Sequence, residues 1–308
     1  MPEISVIVPT YNRAAFLEPC LISLCTQTID PSRYEICVVN NACTDQTPDV
    51  VAKIAALYPH HHLFMVSEPQ LGLSRARNCG LRHTSAPLVA NMDDDGTVYP
   101  DWLARYLARF AEFGPELAVV GGEIEPVWGA PRPEWLAQKF LWPMTAGTEL
   151  GSEPRFLKDH ENTIEANGCY RRSALEAAGN YPVELGRTGS ILLSGEGILE
   201  KRIYAQGGRI FFDPHILLKH HIHANRINPL WLRQRYFWQG ISDFAVRQYC
   251  LTHQLPTDQA MMLNLPLDIK DWAFVGQDTA ENIIDDVEKF RGLGFVLALT
   301  GIIPTENS

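Results

Sequence analysis

Ile4-Ser5-Val6-Ile7-Val8-Pro9-Thr10-Tyr11-Asn12-Arg13, near the amino end, decides how the rest of the chain is read. Its first five residues are mostly β-branched and apolar, which predicts a strand; a proline and a polar tract follow. The same unit recurs downstream. Further strands are predicted over Tyr34–Val39, Leu63–Val66, Leu88–Met92 and Ala118–Val120, after a first over Ile4–Val8. Between them, apolar residues at helical spacing predict helices at about Ala14–Thr26, Thr47–Tyr58, Ser74–His83 and Trp102–Phe113. Pro48 and Pro100 lie near the start of two of these, where a missing N–H costs little. Strand–helix–strand alternation predicts an α/β fold with a mostly parallel sheet flanked by helices, and ligands of such sheets bind beyond the carboxyl ends of the strands.

The residues at those ends share a chemistry. Pro9-Thr10-Tyr11-Asn12-Arg13 follows the first strand and Asn40-Asn41-Ala42-Cys43-Thr44-Asp45 the second. Gly72-Leu73-Ser74-Arg75-Ala76-Arg77-Asn78 leads into the third helix, and Asp93-Asp94-Asp95-Gly96 follows the fourth strand. Aromatic, amide, guanidinium and carboxylate groups thus converge on one sheet edge, as a nucleotide with phosphates would require. Three adjacent aspartates repel one another unless a cation lies between them. On an extended tail Asp93 and Asp95 point to one side and Asp94 to the other, so the first and third could share a divalent ion. Oxygen ligands favour Mg²⁺ or Mn²⁺; the plainer alternative is a solvated acidic turn. Tyr11 could stack on a base or simply pack, and Asn40 could bond a pyrimidine through its carbonyl or its amide. Arg77 could reach a diphosphate or pair with a carboxylate.

Composition bounds the partners. The 308 residues are 46% hydrophobic and 20% charged, an ordinary globular balance that excludes wholesale disorder. A formal charge of −10 offers no broad basic surface for a phosphate backbone, so nucleic acid is not expected. Seven cysteines, an odd number without metal-pair spacing, read as free buried thiols in a reducing compartment. The amino end has no basic segment or cleavage site, and the apolar run Gly292–Ile303, about 12 residues, falls short of the ~20 that span a bilayer. The expected location is the cytoplasm, with peripheral contact at the inner face of a membrane as the second option.

Beyond residue 126 the pattern loosens into a segment with Pro126, Trp128, Pro131, Pro133, Trp135, Trp142 and Pro143. Its tryptophans could line a carbohydrate site or form a local core. A second patterned block runs from Ala166 to His223, and beyond Leu230 the chain reads as helical. There Arg226, Arg233, Arg235 and Arg247 are interleaved with Trp231, Tyr236, Phe237 and Trp238. This predicts either a face for a lipid-linked acceptor or anionic membrane, or an amphipathic helix with its arginines outermost. The run Phe290–Ile303 is likewise either a helix on the core or a membrane contact.

Taken in order, Ser5–Arg13, Val38–Asp45, Ala76-Arg77-Asn78-Cys79-Gly80, Asp93-Asp94-Asp95 and Pro100-Asp101-Trp102-Leu103 resemble the successive motifs of family 2 glycosyltransferases. The resemblance continues through Gly121-Gly122, Asn167–Arg172, Ser194-Gly195-Glu196-Gly197 and Lys219-His220-His221, and so covers about residues 4 to 240. It implies a GT-A type, Rossmann-like fold. The expected division is a catalytic domain over 1–228, with a nucleotide-binding half (1–125) and an acceptor-binding half (126–228), and a helical C-terminal extension over 229–308.

The resemblance further implies an inverting, metal-assisted transfer of a sugar from a nucleoside diphosphate donor, UDP-linked by preference, to a hydroxyl of a saccharide or lipid-linked saccharide. Pro9, Thr10, Tyr11 and Arg13 would line the nucleoside pocket, Asn40 would read the base, and Arg77 and Asp94 would lie by the nucleotide. Asp93 would approach ribose or metal, Asp95 would bind the Mn²⁺ or Mg²⁺ ion, and His220, or its neighbours His221 and His223, would add a late metal or phosphate contact.

Two positions depart from the pattern. Asn40 stands where the family commonly has an aspartate, and Gly195-Glu196-Gly197 lacks the last carboxylate of the usual Gly-Glu-Asp, generally taken as the base. Glu196 is the expected base, with Glu123, Glu125 or Glu200 as substitutes. The alternatives are a nucleotide-sugar-binding pseudoenzyme or assembly partner without efficient transfer, and a nucleotidyl transferase on a related sheet.

Overall fold

The computed structural model describes residues 1–136, 150–188, 195, 197–255 and 280–301. Among them nine strands form one sheet in the order β3-β2-β1-β4-β8-β6-β9-β5, with β7 beside β9. The first four are β1 (Ile4–Thr10), β2 (Tyr34–Asn40), β3 (His62–Ser67) and β4 (Leu88–Asn91). They run parallel, paired as β3-β2-β1-β4. The others are β5 (Gly96–Val98), β6 (Leu117–Trp128), β7 (Arg155–Phe156), β8 (Gly168–Arg171) and β9 (Arg209–Ile222). β8 runs antiparallel to β4 and β6, and β9 antiparallel to β5 and β7.

The helices α1 (Ala14–Cys25), α2 (Thr47–Leu57), α3 (Leu73–His83) and α4 (Trp102–Phe113) connect the parallel half. After α2 the chain adds β3 on one side of β1, then returns through α3 to β4 on the other. That reversal of direction opens a crevice at the carboxyl ends of β1 and β4, the usual ligand position in such sheets.

Every residue of β1 is buried, as expected for a central strand covered on both faces. Its serine hydroxyl is satisfied inside: Ser5 donates to Glu35 of β2 at 2.7 Å, and the same carboxylate oxygen accepts the Ser85 N–H at 2.8 Å. Pro9 lies past Ile7–Asn91, the last β1–β4 pair, so its missing N–H interrupts no ladder bond there. α3 lies close over β1 at Gly80, where a Cβ would stand 2.5 Å from a methyl of Ile7.

Contacts divide the chain into two compact units. One comprises Met1–Pro126, Gly147–Val183 and Glu196–His221; the other comprises Val127–Ala146, Glu184–Gly195 and Ile222–Ser308. The first is centred on buried residues including Ile7, Cys37, Val39, Val89, Val119, Tyr170, Leu199 and Phe212, and also holds α5 (Arg172–Ala177) and α6 (Ile198–Ala205). The second is built on α7 (Pro229–Thr252) and α8 (Ala280–Leu299). Asn228 caps α7 by accepting the Trp231 N–H at 2.8 Å, with Pro229 at the first helical position.

α7 and α8 touch backbone to backbone. A Cβ on Gly240 would lie 1.8 Å from the Arg291 carbonyl oxygen, and one on Gly294 2.0 Å from that of Phe237. Two ion pairs bridge the same helices, Arg233–Asp286 at 2.8 Å and Arg291–Asp243 at 2.7 Å. Arg233 is therefore spent on α8 and Arg235 is buried, so the arginines of α7 are not uniformly outermost. The physical reason for Arg233 is Asp286, a carboxylate that the two helices bury and that needs a cation beside it.

Trp128 and Trp135 pack against the core of this unit with Leu232, Tyr236, Ile283 and Val287, whereas Trp142 lies outside the described residues. Of Phe290–Ile303, the stretch to Gly301 is described: Phe295 is buried and meets Phe244 edge to face at 5.5 Å. Ile302 and Ile303 lie outside it. No helix among the described residues is long and apolar enough to cross a membrane. All seven cysteines are free, six of them buried and Cys43 partly so.

Candidate functional site

The crevice is made by two loops locked together. Asn12 takes a left-handed conformation (φ 53°), which asparagine tolerates better than most residues, and its Oδ1 accepts the Thr44 N–H at 2.7 Å. Asn41 N–H donates to the Thr10 carbonyl at 3.0 Å, and Asp45 Oδ2 accepts the Ala14 N–H at 2.9 Å, so the loop after β2 caps the helix that follows β1. Burial opposes the charge on Asp45, but bonds from Thr47 and Ala14 hold its carboxyl below the usual range. Tyr11 stands on this frame 43% exposed, while Pro9 is buried.

The three aspartates do not form an extended tail. Gly96 N–H donates to the Asp93 carbonyl at 3.0 Å, which folds residues 93–96 into a turn before β5 pairs with β9. The turn sends the carboxylates elsewhere than alternation predicts. Asp94 accepts from Thr10 Oγ1 at 2.7 Å and from Arg13 Nη1 at 3.0 Å; the same Nη1 reaches Asp95 Oδ2 at 2.7 Å. Asp94 and Asp95 thus share Arg13, and Asp93 turns to Arg77 at 3.3 Å. Burial first, then the charges of Asp95 and Asp93, push Asp94 up to about 6 against the pull of Arg13 and Thr10.

β9 delivers the histidines. Gly96 is in register with His220, and the His221 N–H donates to the Asp95 carbonyl at 2.9 Å. The His220 side chain is brought to Asp95, with Nε2 3.5 Å from Oδ1. The His221 ring goes instead to Thr97 Oγ1 at 3.4 Å.

Among the described residues no group of three or more His, Cys, Asp or Glu is gathered as a metal cluster. Two donors on one ion of ~2.1 Å bond length can be no more than about 4.2 Å apart, and Asp95 and His220 satisfy that limit at 3.5 Å. The carboxylate oxygen suits Mg²⁺ or Mn²⁺, whereas the imidazole nitrogen is a donor for a transition ion rather than for Mg²⁺. This pair fits the implied metal; Asp93, with its side chain 37% exposed, turns to Arg77 and is not gathered with them among the described residues.

Arg77 is 4% exposed and sits between Glu165 and Asp93, over the ring of Tyr181 at 5.7 Å. Burial works against its charge, and the two carboxylates more than restore it. It is a buried residue that orients Asp93, and its Nε has no partner. Glu165, which sequence reasoning passed over, completes this arrangement; the only cue was that a buried arginine needs more than one acid.

Glu196 lies outside the described residues. Gly197 adopts φ +82° at the start of α6, where a Cβ would meet Asn162 at 3.2 Å, so the position of the usual carboxylate is one that favours glycine. Of the substitutes, Glu200 is 1% exposed and accepts from the Thr163 N–H at 2.8 Å and from the Thr163 hydroxyl. Glu125 is exposed and accepts from Tyr99 at 2.8 Å, and Glu123 accepts the Ile124 N–H at 2.9 Å.

Comparison with known proteins identifies the family of the chain. The sequence pattern of Glycosyl transferase family 2 matches residues 5–177. The chain is 28% identical over 245 residues to the glucosyl-dolichyl phosphate glucuronosyltransferase of Haloferax volcanii, covering 78% of this chain and 76% of that protein. It is 29% identical over 244 residues to the succinoglycan biosynthesis protein ExoM of Rhizobium meliloti, covering 77% and 73%. In fold it matches the mannosyltransferase PcManGT of Pyrobaculum calidifontis, solved with GDP-Man and Mn²⁺, at a TM-score of 0.59 and 19% identity over 97% of this chain and 74% of that one. TarS of S. aureus, solved with UDP-GlcNAc, matches at 0.55 and 17% identity over 98% and 92%.

Proposed function

Because this chain belongs to glycosyl transferase family 2 and is a glycosyltransferase, we propose that it moves a sugar from a nucleoside diphosphate to a hydroxyl of a saccharide or lipid-linked saccharide, with inversion. The observation that carries the reading is the convergence of Thr10, Arg13, Asp93, Asp94, Asp95 and His220 on one crevice at the carboxyl ends of the parallel strands. The half-exposed Tyr11 ring offers a face for the base. Arg13, already held by two carboxylates, adds positive charge beside the place where a diphosphate departs. Asp95 and His220 would hold Mn²⁺ or Mg²⁺. When bound, such an ion supplies charge that stabilises the departing diphosphate more than the ground state.

The acceptor oxygen attacks the anomeric carbon as the bond to the diphosphate breaks. The electron pair leaves with the diphosphate, and the hydroxyl proton goes to a carboxylate, for which Glu196 is our assignment. Such a base contributes about 10²–10⁴-fold. One displacement inverts the configuration. The related transferases give no support to a partner that binds nucleotide-sugar without transfer.

The test is a screen of nucleotide sugars, with and without saccharide and lipid-linked acceptors, for release of free nucleoside diphosphate in the presence of Mn²⁺. Release that requires acceptor and is lost in Asp95→Asn supports the proposal. Nucleotide binding with no release from any donor would overturn it. Near-normal turnover in Glu196→Gln would overturn the assignment of the base alone.

A further inference from the structure

Arg13 is held at both ends. Its carbonyl accepts the Phe16 and Leu17 N–H groups at 2.9 and 3.2 Å, which fixes its main chain at the start of α1, directly after β1. Its guanidinium reaches the acidic turn, where one nitrogen, Nη1, lies 3.0 Å from Asp94 Oδ1 and 2.7 Å from Asp95 Oδ2. Both aspartates are buried, at 4% and 3% exposure, while the arginine side chain is 29% exposed. Adjacent buried anions repel each other with little screening, so this turn needs a cation between them. Arg13 supplies that cation from within the chain, where three consecutive aspartates by themselves call for a metal.

The other contacts of the pair hold the turn in the same form. Asp94 Oδ2 accepts from Thr10 Oγ1 at 2.7 Å, and the Asp95 carbonyl accepts the His221 N–H at 2.9 Å. The two oxygens of Asp95 face different groups: Oδ2 meets Arg13, and Oδ1 lies 3.5 Å from His220 Nε2. One carboxylate thus stands between an arginine and the place that fits a divalent ion. An ion held there would share Asp95 with Arg13, well inside the Debye length of about 8–10 Å, and the two positive charges oppose each other. A diphosphate attracts both.

We infer that Arg13 is the built-in counter-ion of the acidic turn: it keeps the turn folded without a metal, and by the same charge it disfavours the ion until a diphosphate is present. The inference rests on the reading of the crevice as a site for a nucleoside diphosphate and a metal. An arginine that opposes the ion and attracts the diphosphate makes each ligand favour the other. By linkage, removing its charge lowers that coupling equally in both directions.

The test uses the full chain at one fixed pH. Mn²⁺ is titrated by electron paramagnetic resonance of the free ion, UDP and GDP by calorimetry, and melting is followed by circular dichroism. Arg13→Gln removes the charge and keeps a hydrogen-bond donor; Arg13→Lys keeps the charge. In the parent, Mn²⁺ without nucleotide binds weakly and leaves the melting temperature nearly unchanged. In Arg13→Gln, Mn²⁺ alone binds about tenfold more tightly, and a melting temperature lowered in its absence rises as the ion is added. Nucleoside diphosphate without metal binds about tenfold more weakly, a shift opposite in sign to that of the ion. Arg13→Lys stays near the parent in its affinity for Mn²⁺.

An Arg13→Gln protein that weakens both ligands, binds Mn²⁺ no more tightly, or stays unfolded with Mn²⁺ present overturns the inference. So does an equal gain in Mn²⁺ affinity in Arg13→Lys. In each of these cases UDP or GDP binding to the parent with Mn²⁺ leaves the nucleotide site standing. No binding of either nucleotide to the parent overturns the nucleotide reading itself, and this inference with it.

Discussion

Removing Glu165 leaves a cation stranded in the core, and the size of the effect follows from what surrounds it. Arg77 is 4% exposed, bonded through one Nη to Glu165 and through the other to Asp93 at 3.3 Å, with Nε already unpartnered. In Glu165→Ala, Nη1 loses this partner as well, and the guanidinium keeps a single long contact. Breaking a buried ion pair from one side costs about 3–5 kcal/mol, mostly as the uncompensated charge of the survivor. At about 2–4 °C per kcal/mol for a domain of this order, the melting temperature falls by about 10 °C. Arg77→Met alone costs a similar amount.

The double variant with methionine at both positions, set against Glu165→Met and Arg77→Met singly, removes both charges and fills the space, so it is less damaged than the sum of those singles by about 3 kcal/mol. Urea titrations followed by tryptophan fluorescence, with unchanged slopes, measure this coupling. The double variant also separates folding from function. Its stability recovers, yet its affinity for nucleotide stays low, because Asp93 has lost the arginine that orients it. A loss below about 1 kcal/mol in Glu165→Ala, or strict additivity of the two substitutions, would refute the reasoning.

Two further outcomes follow from particular contacts. Glu161 is held down to about 2 by Arg155, bonded at 2.7 and 2.8 Å, and by the Lys158 N–H. Its folded pKa lies below the unfolded value, so its contribution is full above about pH 4.5 and fades as pH falls towards 2; at pH 3 roughly half or less remains. The stability gap between parent and Glu161→Gln, about 1 kcal/mol at pH 7 for so exposed a pair, therefore narrows at pH 3 in paired urea titrations. A gap that is constant or wider would count against the pairing. Gly240→Ala drives a Cβ to 1.8 Å from the Arg291 carbonyl and forces α7 and α8 apart, costing about 1–3 kcal/mol or more. Helical circular dichroism and limited proteolysis near α8 read it, and a melting point unchanged from the parent would exclude the close crossing.

What the sequence discloses and what it withholds divide along physical lines. β1, β2 and α4 are legible nearly to the residue, because strand and helix periodicity are local and a fully apolar strand such as Ile4–Val8 has few other homes. β5 is not, since three residues become a strand only by pairing with Leu218–His220, more than a hundred residues away. The same distinction governs the site. That Arg13 and the three aspartates line one crevice was readable from their places at strand ends, and His220 only from the resemblance. Which carboxylate meets which cation was not, because one backbone bond, Gly96 to Asp93, turns an extended tail into a turn and sends Asp94 and Asp95 to Arg13.

Asn40 carries the same lesson to single atoms. Its identity as an amide left both polarities open, and the Cys43 N–H, three residues on, decides between them. Residue type and spacing specify that a ligand site exists and what classes of group it offers. Donor and acceptor directions are set by the turns that close around it, in backbone bonds that no motif displays.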